Sequence, residues 1–403
     1  MKRFLILFLT FAFIMTAAGC GGGAPQDGAK NDGTAAEETP LVSDGKTAIY
    51  DGNGAGIGAL DSRANCTAAD GGIFYSVFDV KEFQFTGSAE YRFFDKESKK
   101  DILLGTVANQ GYEALFARTE HGGVIYTLVI EGDPMSDSPV PLVLLAFDPE
   151  AGTMKKHTVA EDGFPYTSMA AANGRLLIMN HETKGTRRDV IYEYDPETEA
   201  VREALTFSPD TDSLRGVCSS KDGFYILRLK INRGAENVLF LDKYSGNYEK
   251  ISELSLTETL VGAASGVHGM TGRGDALNEL GMNVSGFEVV DERYLFYENF
   301  GLLRVIADLQ SGDALFANDD NYSMSAGGGV PYFYRMDFDS ENVPEPDIQG
   351  ISGGKLVKHG FKPDAAHKLI REVSHSPAGT WLVKTSDIFS AQNSSFALHL
   401  WTE

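Results

Sequence analysis

The chain reads as all-β, a seven-bladed β-propeller of four-stranded antiparallel blades, with six or eight blades as the neighbouring counts. The first observation behind this reading is the layout of residues 172–199. A tight turn at Asn173-Gly174 leads into the apolar run Arg175-Leu176-Leu177-Ile178-Met179, a charged loop follows, and a second strand over 190–194 ends at the turn Asp195-Pro196-Glu197-Thr198. A unit of antiparallel strands leaves a hydrophobic face bare, so its copies must stack. The second observation is recurrence. Strands after the first turn begin at Ile73, Val124, Arg175, Phe224, Tyr294, Tyr332 and Trp381, spaced by 51, 51, 49, 70, 38 and 49 residues. An Asp-led second turn falls at Asp95, Asp148, Asp195, Asp242 and Asp308. A period of roughly 40 to 50 residues with about four strands per copy is that of propeller blades. The third observation concerns the ends. Residues 47–50 form a short apolar piece ahead of the first copy, while the last copy, around Trp381 and residues 396–401, stops one strand short. A ring must be fastened, and a strand borrowed from the other terminus closes it and hides its edges, so the N-terminal strand is expected to pair with the last blade.

Composition suits one large globular unit. The 403 residues are 42% hydrophobic and 23% charged. Length alone favours two domains, but the unbroken repeat favours one closed domain over residues 47–403. Lys and Arg total 35 against 57 Asp and Glu, a formal charge of −22. That sign repels phosphate backbones, so nucleic acid is excluded as a partner. The acidity suits solubility outside the cell.

Taken in order, residues 1–19 carry Lys2-Arg3, an apolar run from Phe4 and then small residues, the layout of an export signal. The apolar run is too short to span a membrane comfortably. Its end, Ala17-Ala18-Gly19-Cys20, with Ala17 where Leu is usual, resembles the lipobox of bacterial lipoproteins. The resemblance implies that Cys20 is acylated and becomes the new N-terminus, anchoring the chain to a lipid bilayer on the extracytoplasmic side of the cell membrane. Residues 21–46 are Gly, Ala, Asp, Glu, Thr and Pro with scarcely an apolar side chain, so they cannot fold alone. With Cys20 they form a tether, its reach about 28 Å.

Gly54, Gly56 and Ala59 fit a loose G-x-G-x-x-A dinucleotide pattern, but that motif needs a following helix and strand-like repeats follow instead, so residues 52–58 read as a flexible connector. The strands before each first turn are rich in small residues, as in Met169-Ala170-Ala171-Ala172, which suits inner strands crowding a central channel. Cys66 and Cys218 occupy similar places in repeats one and four, too far apart for a disulfide, and read as buried free thiols.

The loops differ between the two faces. Inner turns such as Asp70-Gly71-Gly72 and Asp222-Gly223, and the Asp-led turns, are brief and lie on one face. Connections between blades and between second and third strands lie on the other and are long, over 131–139, 180–188, 210–215, 255–285 and 339–353. Binding residues concentrate on irregular loops held by a rigid scaffold, so this loop-rich face is the expected site, with His181, Arg188, Asp210, Arg215, His268, Arg273 and Asp275 as its candidate residues. The insertion 255–285 has a composition able to form a mobile cap over the channel mouth. Gly350-Ile351-Ser352-Gly353-Gly354 fits G-x-S-x-G but joins two strands, and reads as a glycine turn. Asp337, Asp339 and Glu341, or Asp210 with Asp212, alternate as cation ligands might, yet solvated turns explain them. The eight histidines show no zinc spacing, and no cofactor is indicated.

The repeats are similar in outline to lactonase-type and quinone-repeat propellers. The expected function is a membrane-anchored lipoprotein whose propeller is a non-catalytic binding or scaffold module for a protein, peptide or glycan. The alternative is a propeller enzyme, a lactonase or a carbohydrate lyase or hydrolase.

Overall fold

The structure, a computed structural model, describes residues 46–402 except 81–85, 112–116, 135, 165–166, 185–186, 233–235, 269–279, 282–283, 300–302, 319–321, 326–330, 337–346, 360, 362–368 and 388–394. Cys20 and the tether as far as residue 45 therefore lie outside the described residues, and Lys46, the last residue assigned to the tether, already belongs to a strand. Strands β1 (Lys46–Asp51) and β2 (Gly56–Asp61) come first. Blade 1 is β3 to β6 (Asn65–Ala69, Gly72–Val80, Thr86–Asp95, Asp101–Gly111) and blade 2 is β7 to β10 (Arg118–His121, Val124–Ile130, Leu142–Asp148, Thr153–Ala160). Blade 3 is β11 to β14 (Ser168–Ala172, Arg175–Glu182, Arg188–Asp195, Ala200–Phe207) and blade 4 is β15 to β18 (Asp212–Ser220, Gly223–Lys230, Val238–Ser245, Lys250–Ser255). Blade 5 is β19 to β22 (Val284–Val290, Tyr294–Asn299, Leu303–Asp308, Ala314–Asn318), and blade 6 is β23 to β26 (Tyr322–Met324, Phe333–Arg335, Ile348–Ser352, Lys355–Lys358). Blade 7 takes β27 to β29 (Leu369–His375, Thr380–Ser386, Phe396–Thr402) together with β1 and β2. The fold is thus a seven-bladed propeller, nearly all-β.

The middle strands of each blade are covered on both faces by neighbouring blades, which is why they read as unbroken apolar runs. All of β9 but its last residue is buried, whereas four of the eight residues of the outer strand β10 are exposed. First strands of consecutive blades touch, β7 with β11, β11 with β15, β15 with β19 and β27 with β3, which puts them at the centre of the ring. Cys66 and Cys218 lie on two of these inner strands, free and buried, and burial pushes the Cys66 thiol up to about 12.

Ring closure follows the expectation with two differences. Strand β1 pairs with β29 in parallel, Ala48 opposite Ala397 and Asp51 opposite Leu400, and β2 then pairs antiparallel with β1. Two strands are borrowed, so this sheet has five, ordered β2-β1-β29-β28-β27. The glycine-rich stretch is consequently no loose connector but the hairpin turn and the start of β2. Gly58 lies so close to the Phe94 ring of blade 1 that a Cβ there would sit 2.7 Å from it. A strand, not a helix, follows these glycines, so the helix N-terminus a dinucleotide would need is missing there.

The Asp-led turns work by a single device. In Asp95, Asp148 and Asp195 the carboxylate accepts backbone N–H bonds from residues two or three ahead, from Ser98 at 2.6 Å, Ala151 at 2.9 Å and Glu197 at 2.9 Å. Asp242 is the exception. It lies in mid-strand and fully buried, bonded to Arg228, and the turn of blade 4 is led instead by Ser245, whose hydroxyl accepts from the N–H of Asn247 at 3.2 Å. Gly353 and Gly354, both at positive φ, form the tight turn joining β25 to β26, so the G-x-S-x-G spacing belongs to a hairpin.

The insertion after β18 also differs from expectation. Its first part is a helix, α1 (Thr257–His268), with acidic Glu258 in the first turn. Leu256, Leu260 and Ala264 are buried with Leu239 and Leu241 of blade 4 and with Val305 and Ala307 of blade 5. The helix touches β17, β21 and β22, so it is wedged between outer parts of two blades and does not cap the channel mouth.

Neighbouring blades are stapled by side chains that accept a backbone N–H across the junction. Asp70 accepts from Ala378 at 2.9 Å, Glu120 from Asp70 at 3.1 Å, and Glu292 from Lys221 at 2.7 Å. Ser374 and Ser168 do the same for Ala68 and Val217 on the inner strands. Burial pushes the Glu120 carboxyl up to about 7 and that of Glu288, on the inner strand β19, up to about 8. Each is an acid whose folded value exceeds its unfolded one, so its contribution is complete below about pH 4.5 and is lost as pH rises through 7 to 8. Thermal stability is therefore expected to fall between about pH 5 and pH 8. Glu288→Gln should flatten that fall by roughly 1–2 kcal/mol, a figure discounted because the side chain is partly open to water. A melting temperature with the same pH slope in wild type and variant would contradict it.

Candidate functional site

On the loop-rich face, described polar contacts gather around blade 3, at its junctions with blades 2 and 4. The antiparallel register of β12 and β13 sets His181 opposite Asp189 and Glu182 opposite Arg188. His181 Nδ1 lies 2.8 Å from Asp189 Oδ1, and the Phe164 ring meets the imidazole edge-on at 5.7 Å. Asp189 is buried, and its second oxygen accepts from the Leu214 N–H at 2.7 Å and the Ser213 hydroxyl at 3.2 Å, both at the start of blade 4. Arg188 bridges two strands, donating from Nε to Glu182 at 2.5 Å and from Nη2 to Glu203 at 2.7 Å. The Tyr192 hydroxyl also donates to Glu182. Nearby, Asp162 Oδ2 accepts from the N–H groups of Thr183 and Lys184 at 2.7 and 2.6 Å, and Lys184 Nζ reaches the Ser138 carbonyl at 2.5 Å. The loops at the two sides of blade 3, toward blade 2 and toward blade 4, are thus fixed by charge-assisted bonds.

Of the residues singled out from the sequence, His181 and Arg215 come together at the junction of blades 3 and 4, whereas Arg188, with Glu182 and Tyr192, lies on the other side of blade 3, toward blade 2. Arg215 is not on a loop, however. It occupies the bulge of inner strand β15 between Leu214 and Gly216, where Nη1 reaches the Leu214 carbonyl at 3.4 Å. Burial pushes its guanidinium down, and the charge of Asp189 opposes that. Asp210 is exposed in the turn ahead of β15. Asp212, its partner in the alternating acids, is ion-paired with Arg228. His268 ends α1 far along the chain from this group, and only its backbone is described. Arg273 and Asp275 lie outside the described residues, as do Asp337, Asp339 and Glu341. Among the described residues, no three His, Cys, Asp or Glu side chains gather as a metal site would require.

Sequence reasoning missed a second cleft at the same junction on the opposite face, built around Glu193, Arg175, Arg202 and Tyr248. The available sign was slight: Arg175 opens one strand, while Glu193 and Arg202 fall on the next two strands at positions that the register sets directly opposite.

No family model matches the chain. No curated protein matches it either. Among solved structures it is similar to the WD40 β-propeller domain of Doa1, at 10% identity and a TM-score of 0.41 over 88% of this chain and 92% of that one. It is similar to the β-propeller domain of the Trilobed protease from Pyrococcus furiosus, at 10% identity and 0.41 over 71% and 81%. It is similar to an apocarotenoid oxygenase from Synechocystis, at 13% identity and 0.34 over 49% of this chain, which spans about half, 51%, of the oxygenase. Likeness at this level concerns fold alone, and here the fold already stands on the chain's own strand pairing.

Proposed function

We propose that the protein is a lipid-anchored extracytoplasmic lipoprotein whose propeller is a non-catalytic binding or scaffold module for a protein, peptide or glycan at its loop-rich face. The sequence supports the anchor through Ala17-Ala18-Gly19-Cys20 and the tether behind it. One observation supports binding over catalysis: the polar side chains of the loop ends on the two sides of blade 3 are spent on each other. Arg188 is shared by Glu182 and Glu203, and Asp189 is divided between His181 and the backbone of the next blade. Loops held this way present a preorganised surface at little ordering cost, which is what a binding face needs.

A second reading, a hydrolase or lyase, is favoured by the His181–Asp189 pair alone. A carboxylate on Nδ1 orients an imidazole and leaves Nε2 to act as a base. One set of strains tests both. The wild-type chain should fractionate with membranes, take up labelled palmitate and capture a partner from an extracellular fraction, Cys20→Ala should lose the first two, and His181→Ala should weaken the capture. Membrane retention of Cys20→Ala would sink the anchor. Turnover of a lactone or glycan panel that vanishes in His181→Ala would hand the propeller to the enzyme reading.

A further inference from the structure

Strand β28 leaves the tight turn Ser376-Pro377-Ala378-Gly379, and Thr380 at its start is opposite Thr402, so β29 runs from the loop-rich face to the tight-turn face. Strand β1 lies parallel to β29, with Ala48 opposite Ala397 and Asp51 opposite Leu400. The chain therefore enters the ring at Lys46 on the loop-rich face. In the sheet of five strands β1 is fourth from the centre, which puts that entry on the outer rim of blade 7. Blades follow one another around the ring in chain order, and the junction of blades 3 and 4 is three and a half blades from blade 7 in either direction. It is diametrically opposite the entry. Sheets pack about 10 Å apart and strands about 4.8 Å apart, so seven blades put their centres about 11 Å from the axis and their outer strands about 18 Å from it. The far rim of blades 3 and 4 is thus about 35 Å from the point where the tether joins.

We propose that blades 3 and 4 form the membrane-distal pole of the anchored protein, and that the surface around their junction meets a partner arriving from the surrounding medium, not one embedded in the same bilayer. This rests on the lipid anchor at Cys20 proposed above and on a tether, residues 21–45, with a reach of about 28 Å. A rigid body hung beside an impenetrable plane loses every arrangement in which its bulk would lie between the attachment point and the plane. To bring blades 3 and 4 down to the lipid, the tether would have to lift the entry by about 35 Å, beyond its typical reach. With blade 7 lowest, no stretching is needed. Charge acts in the same sense, because a chain of formal charge −22 is pushed away from anionic headgroups. The far pole carries the tie of His181 and Asp189 to the start of blade 4 on one face and the cleft around Glu193 on the other. Both then open to the medium.

The test uses the full lipidated chain on phosphatidylcholine vesicles whose headgroups carry an acceptor dye. A donor dye is placed on Arg63→Cys, beside blade 7, or on Asp210→Cys, between blades 3 and 4; both positions are exposed and on the loop-rich face. Cys66 and Cys218 are buried, and neither takes the dye. Energy transfer to the lipid should be severalfold weaker from residue 210 than from residue 63. A maleimide carried on a large soluble protein should react with Asp210→Cys on vesicles as fast as in detergent, and with Arg63→Cys severalfold more slowly on vesicles than in detergent. Equal transfer from the two sites, in a chain that floats with the vesicles, would overturn the orientation and leave the anchor standing. Stronger transfer from residue 210, with its labelling slowed, would turn this junction to the bilayer and overturn the proposal in favour of a membrane-bound partner. A chain that does not float with the vesicles loses the anchor, and the orientation falls with it.

Discussion

A chain lacking residues 46–61 is expected to unfold with about 3–6 kcal/mol less stability than the full propeller and to self-associate. The deletion removes β1 and β2, and with them Ile49 and Leu60, both buried among Ile73 and Phe94 of blade 1 and Leu398 and Leu400 of blade 7. Burying two such side chains contributes roughly 3–6 kcal/mol, less whatever the unfolded chain already buries. The loss goes beyond area. Strand β29 would become a bare edge offering the hydrogen bonds that β1 now takes, and such an edge templates pairing with other chains. Blades 1 and 7 would then meet through side-by-side packing and staples such as Ala68 on Ser374, Ala378 on Asp70 and Lys96 on Thr402. Urea unfolding and light scattering check this, with Ile49→Asp as a milder variant that keeps the strand. A deletion mutant with the wild-type midpoint and no aggregation would show that the ring does not depend on this fastening.

The architecture was legible because propeller packing imposes one rule on every blade. Second strands buried on both faces must be apolar throughout, and a sharp turn must precede each, so the starts read at Ile73, Val124, Arg175, Phe224, Tyr294, Tyr332 and Trp381 fall within one residue of the observed starts of β4, β8, β12, β16, β20, β24 and β28. What depended on partners distant in sequence was not legible. Parallel pairing of β1 with β29 leaves no local trace, since a short apolar strand looks the same in either direction. Helix α1 was hidden in a glycine-rich insertion because its two glycines, Gly262 and Gly266, blurred a helical period that the packing of Leu256, Leu260 and Ala264 makes plain. The site fared likewise. His181 and Arg188 sit eight and six residues from Asp189 and Glu182, the partners that define them, but the tie of Asp189 to Leu214, and that of Glu193 to Tyr248, cross from one blade to the next.

Asp242 carries the same lesson into energetics. Read as one more turn residue, it is instead a fully buried carboxylate facing Arg228, with Nε 2.7 Å and Nη2 3.3 Å from its two oxygens. The guanidinium also reaches Asp212 and Glu253, and it stacks over the Phe240 ring at 4.9 Å. Arg228→Met is expected to cost about 3–5 kcal/mol, because it strands a carboxylate that water cannot reach. Lys250, 3.0 Å away, is the cation that remains to it. Asp212 and Glu253 are 32% and 42% exposed and can rehydrate, so their share of the loss is small. The double variant Arg228→Met with Asp242→Leu removes both charges and should recover most of the cost, which gives a coupling energy of about 2–3 kcal/mol in a double-mutant cycle. Added salt should leave that coupling almost unchanged, since counterions do not enter the blade. If the two substitutions proved additive in urea unfolding, the pair would be a bystander and the hold on blade 4 would rest on its apolar strands alone.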